Sequence, residues 1–296
     1  MKSDRIIAGL LFFCLLLGVT GCMEAGNAPT QSQVAGLDKL GEVQVFSREE
    51  GSGTRSTFAQ LVGFDQNSEG QTDLTREDAA IKNNAEEVIE AVKSETASIG
   101  YVSKGALADA EGVKALSVNG VGIDTRNSQY PLSRSFYLVY NGTLSELEQD
   151  FLAYVHGAGQ ELVEKSYVPV AKSSTFLSNK EKGRIEITGS TSVAPLIKEL
   201  AQAYMELNPN AVITVVETDS TDGINKAMTG ECDMGMSSRD LEDYEKELLD
   251  YEIIANDDIA VIVNADNPLS DITLDLLKRI YVGDIQKWEE LNCESR

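Results

Sequence analysis

The stretch Ile185–Pro195, IEITGSTSVAP, decides how the rest of the chain is read. Ile185 and Ile187 alternate with Glu186 as a short strand would, and Val193, Leu196, Ile197, Leu200 and Tyr204 then recur at helical spacing. Between them stand Gly189, Ser190, Thr191 and Ser192. A turn of this kind leaves the first N–H groups of the helix unpaired. The positive end of the helix dipole points the same way, so an oxyanion fits there. Ordinary capping of the helix by the hydroxyls is the competing reading. Further turns of the same chemistry elsewhere in the chain are needed to choose between the two.

There are three. Upstream, GEVQVFS (41–47) alternates like a strand and runs into Arg48-Glu49-Glu50-Gly51-Ser52-Gly53-Thr54, followed by the helical FAQLVGF (58–64). The glycines allow close backbone approach, Ser52 and Thr54 bring hydroxyls, and Arg48 brings a planar fork of donors. Downstream, the strand VITVV (212–216) leads into Thr218-Asp219-Ser220-Thr221-Asp222-Gly223, and Met234-Gly235-Met236 opens into Ser237-Ser238-Arg239. Together these turns predict a cleft that holds a tetrahedral oxyanion with neutral donors and a guanidinium. The turn GSGTRS (51–56) also resembles a degraded dinucleotide fingerprint, which would make the chain a dinucleotide-dependent enzyme. Its last glycine is missing, and the polar DQNSEGQTD (65–73) stands where a second strand and a ribose-binding acid belong.

Elsewhere the pattern is that of an α/β protein. Asn84 and Glu87 read as a capping box opening a helix with Val88, Ile89 and Val92 on one face. SIGYVS (98–103), Val113–Val118 and YPLSRSFYLVY (130–140) are strand-like, Ser145–Val155 is an amphipathic helix, and the polar 171–183 reads as a linker.

The ends and the composition bound the compartment. Lys2 and Arg5 precede an apolar run, Ile6–Val19, too short to span a bilayer comfortably but suited to a secretion signal. Val19-Thr20-Gly21-Cys22 is the pattern of a lipoprotein signal, which predicts a signal peptide over 1–21, diacylglycerol on Cys22 and a flexible tether over 22–40. An ordinary signal peptide with a chance cysteine is the alternative. The 296-residue chain carries a net charge of −23; cleavage removes two basic residues and one acidic one, leaving −24. That argues against nucleic acid and against adhesion to anionic lipid headgroups, and leaves anion binding to local dipoles and hydrogen bonds. Cys232 and Cys293 make no CxxC pair, and the lone His156 falls in the helical FLAYVHGAGQ (151–160), so no metal, cofactor or histidine-based catalysis is expected. A hydrolase built on Ser52 or Ser237 would lack its histidine.

These residues resemble the phosphate-binding lipoproteins of bacterial ABC importers, over nearly everything from Gly41 to Asn292. The resemblance rests on ITGSTSVAPLIKELAQAY, DMGMSSRDL, IANDDIAVIVNADNP, IYVGDIQKWEEL, SREEGSGTRSTF, SIGYVS, YPLSRSFYLVY and GQELVEKSYVPV. It implies a type II periplasmic-binding-protein fold, two α/β lobes around a ligand cleft. In that family the GSTS block comes first, the tryptophan block (here Asp284–Trp288) closes the first half, and the SGT block follows. Here the chain starts at the SGT block and ends just after Trp288, so the order implies a circular permutation, cut and rejoined at exposed connections. A fragment of a rearranged gene is the alternative, as is a relative of the same fold that senses phosphate or binds nothing.

The implied lobes are 41–128 plus 260–296, and 133–255, the latter containing the linker 171–183. The implied oxyanion ligands are Thr191 with the backbone of Ser192, Ser220, Ser238, Arg48, Ser52, Gly53 and Thr54, with Glu50 orienting Arg48 and Ser190 in support. Asp219 and Asp222 beside Ser220, and a serine at 238 where some members have an aspartate, put the identity of the anion in question. Arg239, in SSR, either reaches the site or pairs with Asp240 and Glu242, and pairing is the expectation. The implied function is capture of inorganic phosphate by a monomer that is lipid-anchored on the extracytoplasmic face of the cell membrane. It would deliver phosphate to ABC permease subunits and do no chemistry on it.

Overall fold

The computed structural model describes residues 34–65, 73–108, 110–123 and 129–295. The expected signal peptide, Cys22 and the first part of the expected tether lie outside them. In chain order the elements begin with β1 (Gln44–Arg48), α1 (Gly53–Val62), β2 (Ala80–Lys82), α2 (Ala85–Ser94), β3 (Ser98–Ser103), β4 (Val113–Ala115) and β5 (Ser117–Val118). They continue with β6 (Ser133–Tyr140), α3 (Glu146–His156), α4 (Gln160–Ser166), β7 (Gly183–Ser190), α5 (Ala194–Leu207), β8 (Ala211–Thr218) and α6 (Ser220–Thr229). β9 (Met234–Ser237), α7 (Asp243–Leu248), β10 (Asp250–Asn264), β11 (Asp271–Ile272) and α8 (Leu274–Val282) complete the set.

The strands join in the order β2-β1-β3-β10-β6-β9-β7-β8, with β4 also on β10. β1 lies parallel to β2 and β3, and β7 lies parallel to β8 and β9, as strand–helix–strand connections require. The 15-residue β10 serves both halves: Asp250–Asp258 pair antiparallel with β6, and Ile259–Val263 with β3. Asp257 and Arg134 are direct partners in that register, so the passage from one half to the other is a pair of adjacent crossover strands.

Burial divides at the same place. One core gathers Leu37, Val45, Phe58, Tyr101, Leu132, Val261, Tyr281 and Trp288 among others; a second gathers Phe136, Phe151, Ile187, Leu200, Tyr204 and Ile254. Each is the apolar face of a sheet covered by helices, the two-layer arrangement that buries both patterns at once. Residues 34–40, read from sequence as the end of a tether, are packed instead. Leu37 is fully buried, and Val34 and Asn292 exchange two 2.8 Å hydrogen bonds. The expected linker 171–183 has no helix or strand before Gly183, yet it is pinned: Phe176 packs edge-on to Tyr154, and Ser178 Oγ donates to Asp150 at 2.7 Å.

Candidate functional site

The four hydroxyl-rich turns meet where the two lobes face each other. β1 delivers Arg48 at its C-terminal end. Tyr101 Oη of β3, stacked on Phe58, accepts from the Arg48 backbone N–H at 3.2 Å, and Arg55 Nη1 donates to the Arg48 carbonyl at 3.0 Å. The guanidinium is 1% exposed. Its Nε and Nη2 donate to the two Glu49 carboxylate oxygens, each at 2.7 Å, and Nη2 also reaches Thr191 Oγ1 at 3.0 Å in the opposite lobe. Nη1 is buried without a hydrogen-bond partner. A buried charged donor left unpaired is costly, so it marks where an acceptor belongs. The carboxylate that orients Arg48 is thus Glu49. Glu50, expected in that role, is exposed, because it lies beyond β1, where the chain turns outward into Gly51.

No hydroxyl of the 189–192 turn caps α5 at its N-cap, although Ser190 Oγ accepts from the Ser192 N–H within the turn at 3.3 Å. α5 has Val193 at its N-cap with no side-chain cap bond, so its hydroxyls are spent elsewhere. Ser190 Oγ donates to Ser238 Oγ at 2.9 Å, Ser192 Oγ pairs with Thr54 Oγ1 at 2.8 Å across the lobes, and Thr191 takes Arg48. Gly189, at φ 139°, lies where a Cβ would stand 2.3 Å from the Met236 carbonyl, so only glycine lets β7 and β9 bring these serines together. Ser220, the first residue of α6, takes the Ser238 N–H on its Oγ at 3.0 Å. Gly53 is pressed against the same pair: a Cβ on it would fall 2.2 Å from Ser220 Oγ and 2.7 Å from Ser238 Oγ. Thr221 donates from its N–H (3.4 Å) and hydroxyl (3.3 Å) to the Gly51 carbonyl. Ser52 does cap, accepting from Arg55 N at 3.4 Å. Thus α1, α5 and α6 all begin at this cluster, with the partial positive charge of their first turns.

The two aspartates that seemed to oppose an anion are turned to other work. Asp219 caps α6, its Oδ1 accepting from Asp222 N at 2.9 Å, and Asp222 pairs with Lys226 at 2.9 Å along the same helix. Burial opposes the Asp222 charge, but the hydrogen bonds from Lys226 and Thr218 and the Lys226 charge together outweigh it and leave that carboxyl below its ordinary value. Arg239 also turns away from the cleft. Its fork grips Glu245, not Asp240 or Glu242 side chains, with two 2.8 Å bonds; Asp240 contributes only its carbonyl. The geometry chooses Glu245 because α7 carries it inward while Glu242 stays at the helix start.

One residue of the cluster was not legible as a site residue. Arg134, at the start of β6, is buried and forms an ion pair with Asp257 at 2.9 Å, and its Nη1 donates to Thr54 Oγ1 at 2.8 Å and to the Ser238 carbonyl at 3.3 Å. It sits inside a strongly β-prone run with no turn around it, so the sequence marks it only as a charge among apolar neighbours. Two cavities of about 820 and 830 Å³ border the cluster. One is lined by Lys104, Arg134 and Asp257, the other by Asn83, Thr191 and Ser192, and Tyr167 lines both. Among the described residues no group of three or more His, Cys, Asp or Glu is placed to hold a metal ion, and no helix is long and apolar enough to cross a membrane.

Two lobes joined by crossover strands, with neutral donors and a buried arginine between them, define a binding protein of the periplasmic-binding class. A model of the PBP superfamily domain matches residues 174–295. The chain belongs to the PstS family. It is 36% identical over 278 residues to "Phosphate-binding protein PstS 2" of Streptococcus pneumoniae, covering 92% of this chain and 94% of that one. The like-named protein of Streptococcus agalactiae is 32% identical over 301 residues, 99% of this chain and all of that one. The crystal structure of a phosphate ABC transporter phosphate-binding protein from Streptococcus pneumoniae superposes with a TM-score of 0.70 at 36% identity, covering 85% of this chain and 100% of that one.

Proposed function

We propose that this chain is an extracytoplasmic binding protein that closes two lobes on inorganic phosphate and hands it to the permease of an ABC importer. The observation that carries the reading is the Arg48 fork. Two of its nitrogens are locked by Glu49 and Thr191, the third is buried and unpaired, and it lies among hydroxyls and helix N-termini from both lobes. Such a site offers donors in many directions around a point, which suits a tetrahedral anion, and a guanidinium supplies charge with bidentate geometry. Thr191, Ser192, Ser220, Ser238, Arg48, Ser52, Gly53 and Thr54 are the proposed ligands, with Ser190 holding Ser238 in place. The names of the relatives agree with this anion. Work in this protein is capture and closure, with no bond made or broken in the ligand.

The lipid anchor at Cys22 and the monomeric state are part of the same proposal, as is the circular order of the blocks. The Val34–Asn292 contact supports the permutation, because it brings the ends of the packed chain together. The match along nearly the whole Streptococcus pneumoniae relative indicates that the order is shared with it. Isothermal titration of the protein with phosphate, sulfate and NAD tests the reading. Micromolar or tighter phosphate binding that disappears in Arg48→Ala is expected. Tight NAD binding with no phosphate response would overturn it.

A further inference from the structure

Arg134 stands at the crossover, where its side chain touches both lobes and the crossover strand between them. Asp257, its partner across the paired strands, takes Nε at 3.1 Å and Nη2 at 2.9 Å on a single oxygen. Nη1 then reaches forward to Thr54 in the first turn of α1 and to the Ser238 carbonyl at the end of β9. The pair is almost wholly removed from water, with side-chain exposures of 2% and 0%. Taking two charges out of water costs more than a well-packed apolar pair of the same volume would, so its presence calls for a reason other than stability.

Hydrogen-bond direction supplies one. A guanidinium only donates, so Thr54 Oγ1 must accept from Arg134. The single Thr54 proton is then directed away from Arg134, to Ser192 Oγ at 2.8 Å or to a ligand oxygen in the same place. Because the same Nη1 also holds the Ser238 carbonyl, which accepts from Thr57 Oγ1 at 3.2 Å as well, the bond to Thr54 requires α1 and β9 to be drawn together.

We propose that Arg134 is a positioning residue. It turns the Thr54 hydroxyl into an obligatory donor toward the bound anion and ties that orientation to closure of the lobes. The proposal rests on the phosphate reading, and its test separates the two. Phosphate titrations are run on the wild type, on Arg134→Met with Asp257→Leu (which leaves no charge buried alone), on Arg134→Lys, and on Thr54→Val in both the wild-type and the doubly substituted backgrounds. The double variant should melt near the wild type without phosphate yet bind phosphate at least about tenfold more weakly. Lysine, with charge but no fork, should fail to restore affinity. Thr54→Val should cost affinity in the wild type and little in the double variant. A double variant within threefold of wild-type affinity, or an equal Thr54→Val loss in both backgrounds, overturns the role and leaves the phosphate reading standing. A wild type that does not bind phosphate overturns both. Thermal melting without phosphate shows whether the double variant is folded; if it is not, the Arg134→Lys comparison and the Thr54→Val loss in the Lys background decide the matter by the same criteria.

Discussion

Glu49 fixes the direction of the planar Arg48 guanidinium by taking two of its nitrogens. Glu49→Gln should therefore weaken phosphate binding roughly tenfold and also lower the melting temperature, since the buried Arg48 guanidinium loses its countercharge. An unchanged affinity by titration calorimetry would remove Glu49 from the site. Gly53 makes a sharper case. Its Cβ would need the space of two serine hydroxyls in the facing lobe, so Gly53→Ala should cost at least about tenfold in affinity with near-normal stability of each lobe, read by calorimetry and by thermal melting. At this scale most of the cluster where the turns meet was legible in the sequence, for a physical reason: a donor with its backbone exposed sits in a turn, and turns announce themselves through Gly, Ser and Thr. What it could not carry was geometry within a turn. Whether residue 49 or residue 50 faces Arg48 depends on where β1 stops, and Arg134 lies on a strand, where charge direction depends on the neighbour across the sheet.

Among the elements, β1, α1, α2, β3, β6, α3 and α5 follow their apolar periodicity closely, because each buries one face and little else competes for its conformation. The predicted capping box at Asn84 is half right. Asn84 Oδ1 accepts from Glu87 N at 2.9 Å, but the Glu87 carboxylate returns to Asn83 N, also at 2.9 Å. The segment before β1 misled because small polar residues look like a leash when the one apolar anchor is a single leucine. Leu37→Ala should destabilise the protein by about 2–5 kcal/mol, measured by urea unfolding, if the short 3-10 turn around it is part of the core. A change within 0.5 kcal/mol, roughly the scatter of surface substitutions, would make it a loose end after all. α7 is held by Arg239. Burial alone would raise the Glu245 carboxyl, but the hydrogen bonds and charge of Arg239 prevail and hold it below its ordinary value of 4.5. A carboxyl lowered in the folded state contributes stability above its unfolded value and loses it as the pH falls below that point. Glu245→Gln should therefore be less stable at neutral pH and show a flatter decline below about pH 4.5 in a melting-temperature series. A decline parallel to the wild type would count against it.

For the whole molecule, the split into two cores and the passage between them near residues 130 and 258 could be anticipated from the family resemblance, but the single strand shared by both sheets could not. Its 15 residues read as one apolar run with an acidic interruption, and periodicity does not say that the two halves pair with different partners. Asp258 and Asp257 fill that interruption. Burial raises both carboxyls, opposed at Asp257 by Arg134 and at Asp258 by Ser133 and Lys104, so the crossover is also where the acidic chain bears charge at a cost. If the order of blocks is a permutation, a gene rejoined so that residues 34–170 follow residue 292 through a short link, and opened within 171–183, should give a protein that folds and binds phosphate within a few fold of the original. Failure to fold with every core residue present would refute the permutation.

The clasp between Val34 and Asn292 bears on which half would travel if the chain is tethered at Cys22 as proposed. Both ends of the packed chain leave from the half that carries Arg48, so such a leash would restrain that half, and the half bearing Thr191 and Ser238 would swing like a jaw against a fixed plate.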